Sequence, residues 1–161
     1  MLRRIDRGFL LFVWIAAFCA SLPAQTGKTI TIRLLDGRTG RLVSSTGVLV
    51  QANHQSAVHG DWTKLNDDGT TELKVPANAS VILVHATYEN STEYYINCDG
   101  PKATDTPSEL WYSVSNILAT GVVSADGCVK PKEADKLKVT AKPGEFVLFV
   151  RRLNWREASQ D

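Results

Sequence analysis

The sequence predicts an all-β chain folded as an antiparallel Greek-key β-sandwich with one short helix. Two stretches, 28–35 and 145–151, alternate apolar and polar or opposed apolar side chains with the period of a strand. Two turn clusters, Asp36-Gly37-Arg38-Thr39-Gly40 and Asn66-Asp67-Asp68-Gly69, lie between apolar runs and supply the positive φ angles that tight reversals require. A single segment carries helix-capping residues at both ends.

In chain order, residues 28–35 set Ile30, Ile32 and Leu34 against Thr29, Thr31 and Arg33, the pattern of a half-buried strand. Residues 47–52 form the next strand, and 53–61 form an exposed loop carrying His54 and His59. A return strand occupies 62–65. The strand at 71–75 has Leu73 and Val75 on one side and ends at Pro76, which has no N–H to continue a ladder. Residues 80–88 contain the unbroken run Val81-Ile82-Leu83-Val84, which predicts a central strand covered on both faces. A further strand spans 93–98, and 99–112 is a loop anchored by Trp111 and Tyr112. Ser113 caps a helix over 114–120 that stops at Gly121, because a serine oxygen satisfies free amides at the start and glycine accepts the left-handed turn at the end. Residues 136–141 predict a modest strand, Pro143-Gly144 a turn, and 145–151 a strong strand with Phe146, Leu148 and Val150 opposite Val147 and Phe149.

Arg3, Arg4 and Arg7 precede an apolar run of about 13 residues, with Leu22-Pro23-Ala24 at a signal-peptidase position. The run is short for a bilayer span, so residues 1–24 read as a cleaved secretory signal and 25–161 as one domain. With Arg3, Arg4, Arg7 and Asp6 removed from the 18 basic and 17 acidic residues of the chain, 15 and 16 remain. That balance offers no basic field for nucleic acid, and no second apolar run reaches membrane-spanning length. Cys19 leaves with the signal. The two cysteines left, Cys98 and Cys128, are expected to pair in an oxidising compartment, periplasmic or extracellular.

The residues Leu34-Leu35-Asp36-Gly37-Arg38-Thr39-Gly40-Arg41-Leu42-Val43, Gly47-Val48-Leu49-Val50 and Leu65-Asn66-Asp67-Asp68-Gly69-Thr70-Thr71-Glu72-Leu73-Lys74-Val75-Pro76 resemble the carboxypeptidase regulatory-like family, a transthyretin-like sandwich of broadly immunoglobulin-like architecture. The second half, with Tyr112-Ser113-Val114, Gly121-Val122-Val123, Cys128 and Phe149-Val150-Arg151, is similar to small exported proteins of soil bacteria such as acidobacteria. The resemblance implies an accessory or binding module rather than a catalyst. The tyrosine-arginine-glycine-serine signature of the transthyretin-like purine hydrolase is not found at Ala158-Ser159-Gln160-Asp161.

Trp62, Trp111 and Trp155 are the candidate binding residues, since indoles combine a large apolar body with a polar tip. Packing over the ends of the core explains the same residues, and Arg151, Arg152 and Arg156 can stack on Trp155. His54, His59 and Asp61 offer an alternative metal site, imidazole and carboxylate together suiting zinc or copper, against ordinary exposed loop histidines. Asn66-Asp67-Asp68-Gly69 reads as a turn, not a calcium loop, because Lys64 stands where a ligand is needed and no bidentate glutamate follows. Ser44, Ser45, His54 and Asp61 have no spacing that assembles a triad, and no catalytic residue is assigned.

The sequence therefore reads as a non-enzymatic, exported module, monomeric or weakly oligomeric, without a cofactor and with a protein or glycan partner. A histidine-loop metal protein and a strand-edge assembly module are the alternatives.

Overall fold

The structure is a computed structural model that describes residues 27–44, 46–55, 60–87, 95–99, 110–128, 138–154 and 156. Residues 1–24, expected as a leader, and residues His59 and Trp155 lie outside them. The described residues form nine strands and one short helix in two sheets. The strands are β1 (Lys28–Asp36), β2 (Gly47–Ala52), β3 (Asp61–Lys64), β4 (Thr70–Val75), β5 (Val81–Thr87), β6 (Tyr95–Asn97), β7 (Tyr112–Ser113), β8 (Val122–Val123) and β9 (Glu145–Arg152); α1 is Val114–Thr120.

One sheet runs β4-β1-β9-β6, with β8 beside the first half of β9, and the other runs β3-β2-β5-β7. The all-β two-sheet architecture is the expected one. Its pairing is mixed rather than uniformly antiparallel, because β9 runs parallel to both β1 and β8. Strand alternation shows the hydrophobicity of the residues, not the direction of the neighbour that will pair with them.

Ile30, Ile32 and Leu34 of β1 meet Val48 and Val50 of β2, Ile82 and Val84 of β5 and Phe146, Leu148 and Val150 of β9 in the core between the sheets. The opposite side of β9 is buried as well. Val147 and Phe149 pack with Leu35 and Cys98, and Val123, Cys128, Val139 and Ala141 cover them. Residues 138–142 therefore form a covering segment, not the strand expected within 136–141: Val139 and Ala141 turn alternately inward without joining a ladder.

The helix forms as the sequence indicates. Ser113 Oγ accepts the Asn116 N–H, and Gly121, at φ 76°, closes the last turn through its N–H to Ile117 O. Val114 and Ile117 anchor it to the core. The Asp36 reversal differs in detail. Asp36 Oδ1 accepts N–H bonds from Arg38 and Thr39, and the positive φ falls at Gly40, not Gly37. Gly37 is required for space: a Cβ there would lie 2.6 Å from Asp126 Oδ1 and 2.8 Å from Cys98 Sγ.

Candidate functional site

Side chains on a strand alternate between faces, so with Val48 and Val50 in the core, Gly47 and Leu49 face outward. Trp62 opposes Leu49 across the β2–β3 ladder and shares that outer face. Its indole lies on the bare backbone of Gly47, where a Cβ would come within 2.7 Å of Cζ2. The same row continues to His85, which opposes Leu49 from β5. Trp111 immediately precedes Tyr112. Tyr112 turns inward onto Phe146, so alternation puts Trp111 on the outer face. The two described candidate tryptophans thus occupy opposite margins of one sheet face. Between them Gln51 and Leu83 are buried, at 5% and 6% exposure, whereas Trp62 is 38% exposed.

The Trp111 margin is built on a strained reversal. Asn53 and His54 have φ of 51° and 60°, and Gln55 N–H donates to Ala52 O at 3.0 Å, the signature of a type I′ turn. Such turns favour Asn followed by Gly, and here histidine takes the glycine position. The His54 ring stands 4.1 Å from the Trp111 ring at an interplanar angle of 43°. Asn53 fixes the turn to the chain before β5. Its Oδ1 accepts the Ser80 N–H and hydroxyl, and its Nδ2 donates to Asn78 O. The exposed imidazole is held by tertiary contacts rather than carried on an unattached loop.

A second polar group lies at the same flank, inside the sandwich. Tyr112 Oη donates to Asp99 Oδ2, while Asp99 Oδ1 is buried without a hydrogen-bond partner in a residue only 8% exposed. Burial, then the Asp99 hydrogen bond and charge, hold the Tyr112 phenol in its protonated form far above the ordinary range. His85 is shifted down by burial, opposed by the Asp99 charge, and so is neutral over a wider pH range than a free imidazole. Sequence reading named Tyr112 as a loop anchor but did not pair it with Asp99. The cue available was an aspartate next to a cysteine of the bridge.

Cys98 and Cys128 are joined, as expected, with Cα atoms 5.2 Å apart. Among the described residues, Cys98, Asp126 and Cys128 are the group of metal-ligating types whose donor atoms converge within 4.8 Å, but both sulfurs are committed to the disulfide. Of the alternative metal set, His54 faces Trp111 and Asp61 begins the exposed strand β3; His59 is outside the described residues. In the Asn66 turn, Asp68 Oδ1 accepts the Thr70 N–H and hydroxyl, which also lowers the Asp68 pKa, and Gly69 supplies φ 70°. Those contacts account for the acidic residue as a turn former.

Among the described residues, no helix is long and apolar enough to cross a membrane. No protein-family model matches the chain, and no curated protein or solved structure matches it either. The arrangement of residues is accordingly the basis for any functional reading.

Proposed function

We propose that the chain is a non-enzymatic, exported binding module that takes a neutral oligosaccharide at the aromatic margins of the β3-β2-β5-β7 face. The observation that carries the proposal is the His54–Trp111 pair, an exposed imidazole kept against an indole at the cost of a left-handed backbone. Strain retained at a surface position favours a role in recognition. An indole binds the apolar face of a sugar ring while adjacent ring nitrogens and amides bond its hydroxyls. His85, in the Trp62 row, stays neutral to lower pH than a free imidazole and so offers an uncharged hydrogen-bonding nitrogen for ring hydroxyls. The resemblance to carboxypeptidase regulatory-like domains supports the same accessory role.

The test is affinity electrophoresis of the purified protein in gels containing neutral or acidic polysaccharides. Retardation by a neutral polysaccharide that is lost in Trp111→Ala and reduced in Trp62→Ala supports the proposal. Equal mobility in every gel, or retardation indifferent to both substitutions, overturns it. Export is read separately from intact mass: an N-terminus at Gln25 supports it, and one at Met1 overturns it.

A further inference from the structure

We propose that β4 pairs with β4 of a second copy of this chain, in one antiparallel register centred on Leu73, to give a weak symmetric dimer. The inference concerns the other sheet and does not depend on the binding face above.

β4 is the terminal strand of its sheet, and no described strand covers its outer edge. Which of its backbone groups point outward follows from the bonds of β1. Leu34 N–H donates to Gly69 O at the β4 side, whereas Thr31 N–H and Gly37 N–H donate to Gly144 O and Val150 O at the β9 side. Even-numbered residues of β1 therefore bond toward β4. Their register partners Thr71, Leu73 and Val75 are the β4 residues that bond back, which leaves Thr70, Glu72 and Lys74 directed to the free edge.

Thr70 is already satisfied: its N–H donates to Asp68 Oδ1 and its carbonyl accepts the Asn66 N–H. Pro76 has no N–H to extend the edge. What each copy offers is the N–H and C=O of Glu72 and of Lys74. A twofold axis through Leu73 sets Glu72 opposite Lys74 of the second copy, and Lys74 opposite its Glu72, as hydrogen-bonded pairs. All four N–H groups then meet four carbonyls.

The side chains select the same register. Glu72 and Lys74 are exposed on the solvent face and Thr71, Leu73 and Val75 are on the core side. Centring on Leu73 keeps solvent face with solvent face and brings two Glu72–Lys74 pairs together across the axis. Centring on Glu72 or on Lys74 would put like charges opposite each other, and a shift by one residue would turn core side chains outward. The nearby Arg33 is taken by Glu145, its Nε donating to Oε1 at 2.7 Å, and so leaves Glu72 to the second copy. An edge lysine alone would discourage such pairing; the alternation of glutamate and lysine is self-complementary.

Sedimentation equilibrium of the full protein across a concentration series into the millimolar range tests the proposal, with folding checked by circular dichroism. The wild type should shift from monomer to dimer. Glu72→Lys and Lys74→Glu should each move the midpoint to at least several-fold higher concentration, and the double variant Glu72→Lys/Lys74→Glu should restore it. A wild type that stays monomeric, a dimer unaffected by either reversal, or a double variant no better than the singles would each overturn the proposal.

Discussion

Along one flank of the sandwich, β6 and β7 join the two sheets, with β8 beside β9; along the other, β3 and β4 end them. On the first flank Asn97 of β6 reaches across to β5, its Nδ2 donating to Val84 O and its Oδ1 accepting the Ala86 N–H. Tyr112 of β7 reaches Asp99 behind β6, and the Cys98–Cys128 bridge holds the loop after β8 over the outside of β9. Ser124 completes that edge, its N–H donating to Val147 O and its hydroxyl accepting the Phe149 N–H. On the second flank β3 and β4 keep exposed side chains, Trp62 on one and Glu72 and Lys74 on the other. The first flank is fastened by these contacts and carries the His54–Trp111 pair at its outer margin, whereas the second ends in strands with exposed side chains.

The largest effect that would sharpen this contrast is removal of the bridge. Cys98→Ser/Cys128→Ser should cost about 3–4 kcal/mol, the chain-entropy value for a loop of about 30 residues. Urea unfolding at fixed pH measures it, and a loss below about 1 kcal/mol would mean that the flank is held by its other contacts alone. Next, Asn97→Ala strands a carbonyl and an N–H of β5 and should cost about 1–3 kcal/mol. Substituting Glu72 or Lys74 instead should change stability by no more than about 0.5 kcal/mol, as for exposed positions generally.

How much of this division was legible in the sequence depends on the range over which each interaction acts. The helix caps Ser113 and Gly121, the turn at Asn66-Asp67-Asp68-Gly69 and the opposed faces of β9 involve residues close together in the chain, and local pattern revealed them. The bridge was expected from the two cysteines that remain once Cys19 is assigned to the leader. β7 and β8 have two residues each, too few for any periodicity to register. Val139 and Ala141 imitate a strand because a segment lying on a sheet also needs alternate apolar residues. Trp62 and Trp111 were identifiable as candidates, but their common face depends on β2 lying beside β3 and β5, a pairing that no local pattern specifies. The Asp99–Tyr112 bond is likewise long-range.

Three groups should show in the pH dependence of stability: Tyr112 and His85 near the first flank, and Asp68 in the turn between β3 and β4. Tyr112 keeps its proton in the folded chain where the unfolded phenol, with its ordinary value of 10.0, has lost it. The unfolded state then binds fewer protons, so stability falls as pH rises above about 10, and Tyr112→Phe should remove that slope. His85 acts at the other end. The unfolded imidazole, at 6.5, takes up a proton before the folded one, so its contribution is complete above that pH and is lost as pH falls below it. His85→Gln should flatten the slope just under 6.5. Asp68, held below its ordinary 3.8 by Thr70, acts at lower pH still. Chemical denaturation at a series of pH values separates the three windows.

A comparably small effect on stability most directly tests why His54 is there. Its left-handed φ of 60° is a conformation that glycine adopts freely, so His54→Gly relieves about 1 kcal/mol of backbone strain. The same change removes the ring tilted against Trp111, a contact worth about 0.5–1.5 kcal/mol. The two terms oppose each other, and the net change should lie within about 0.5 kcal/mol of zero. His54→Ala keeps the strained φ while losing the ring contact, so it should be the less stable of the two variants. If the turn exists to present the imidazole, His54→Gly should leave thermal stability nearly unchanged and still abolish much of the retardation by a neutral polysaccharide. A variant that retains full retardation would make the His54–Trp111 pair a local packing contact and leave Trp111 to act without it.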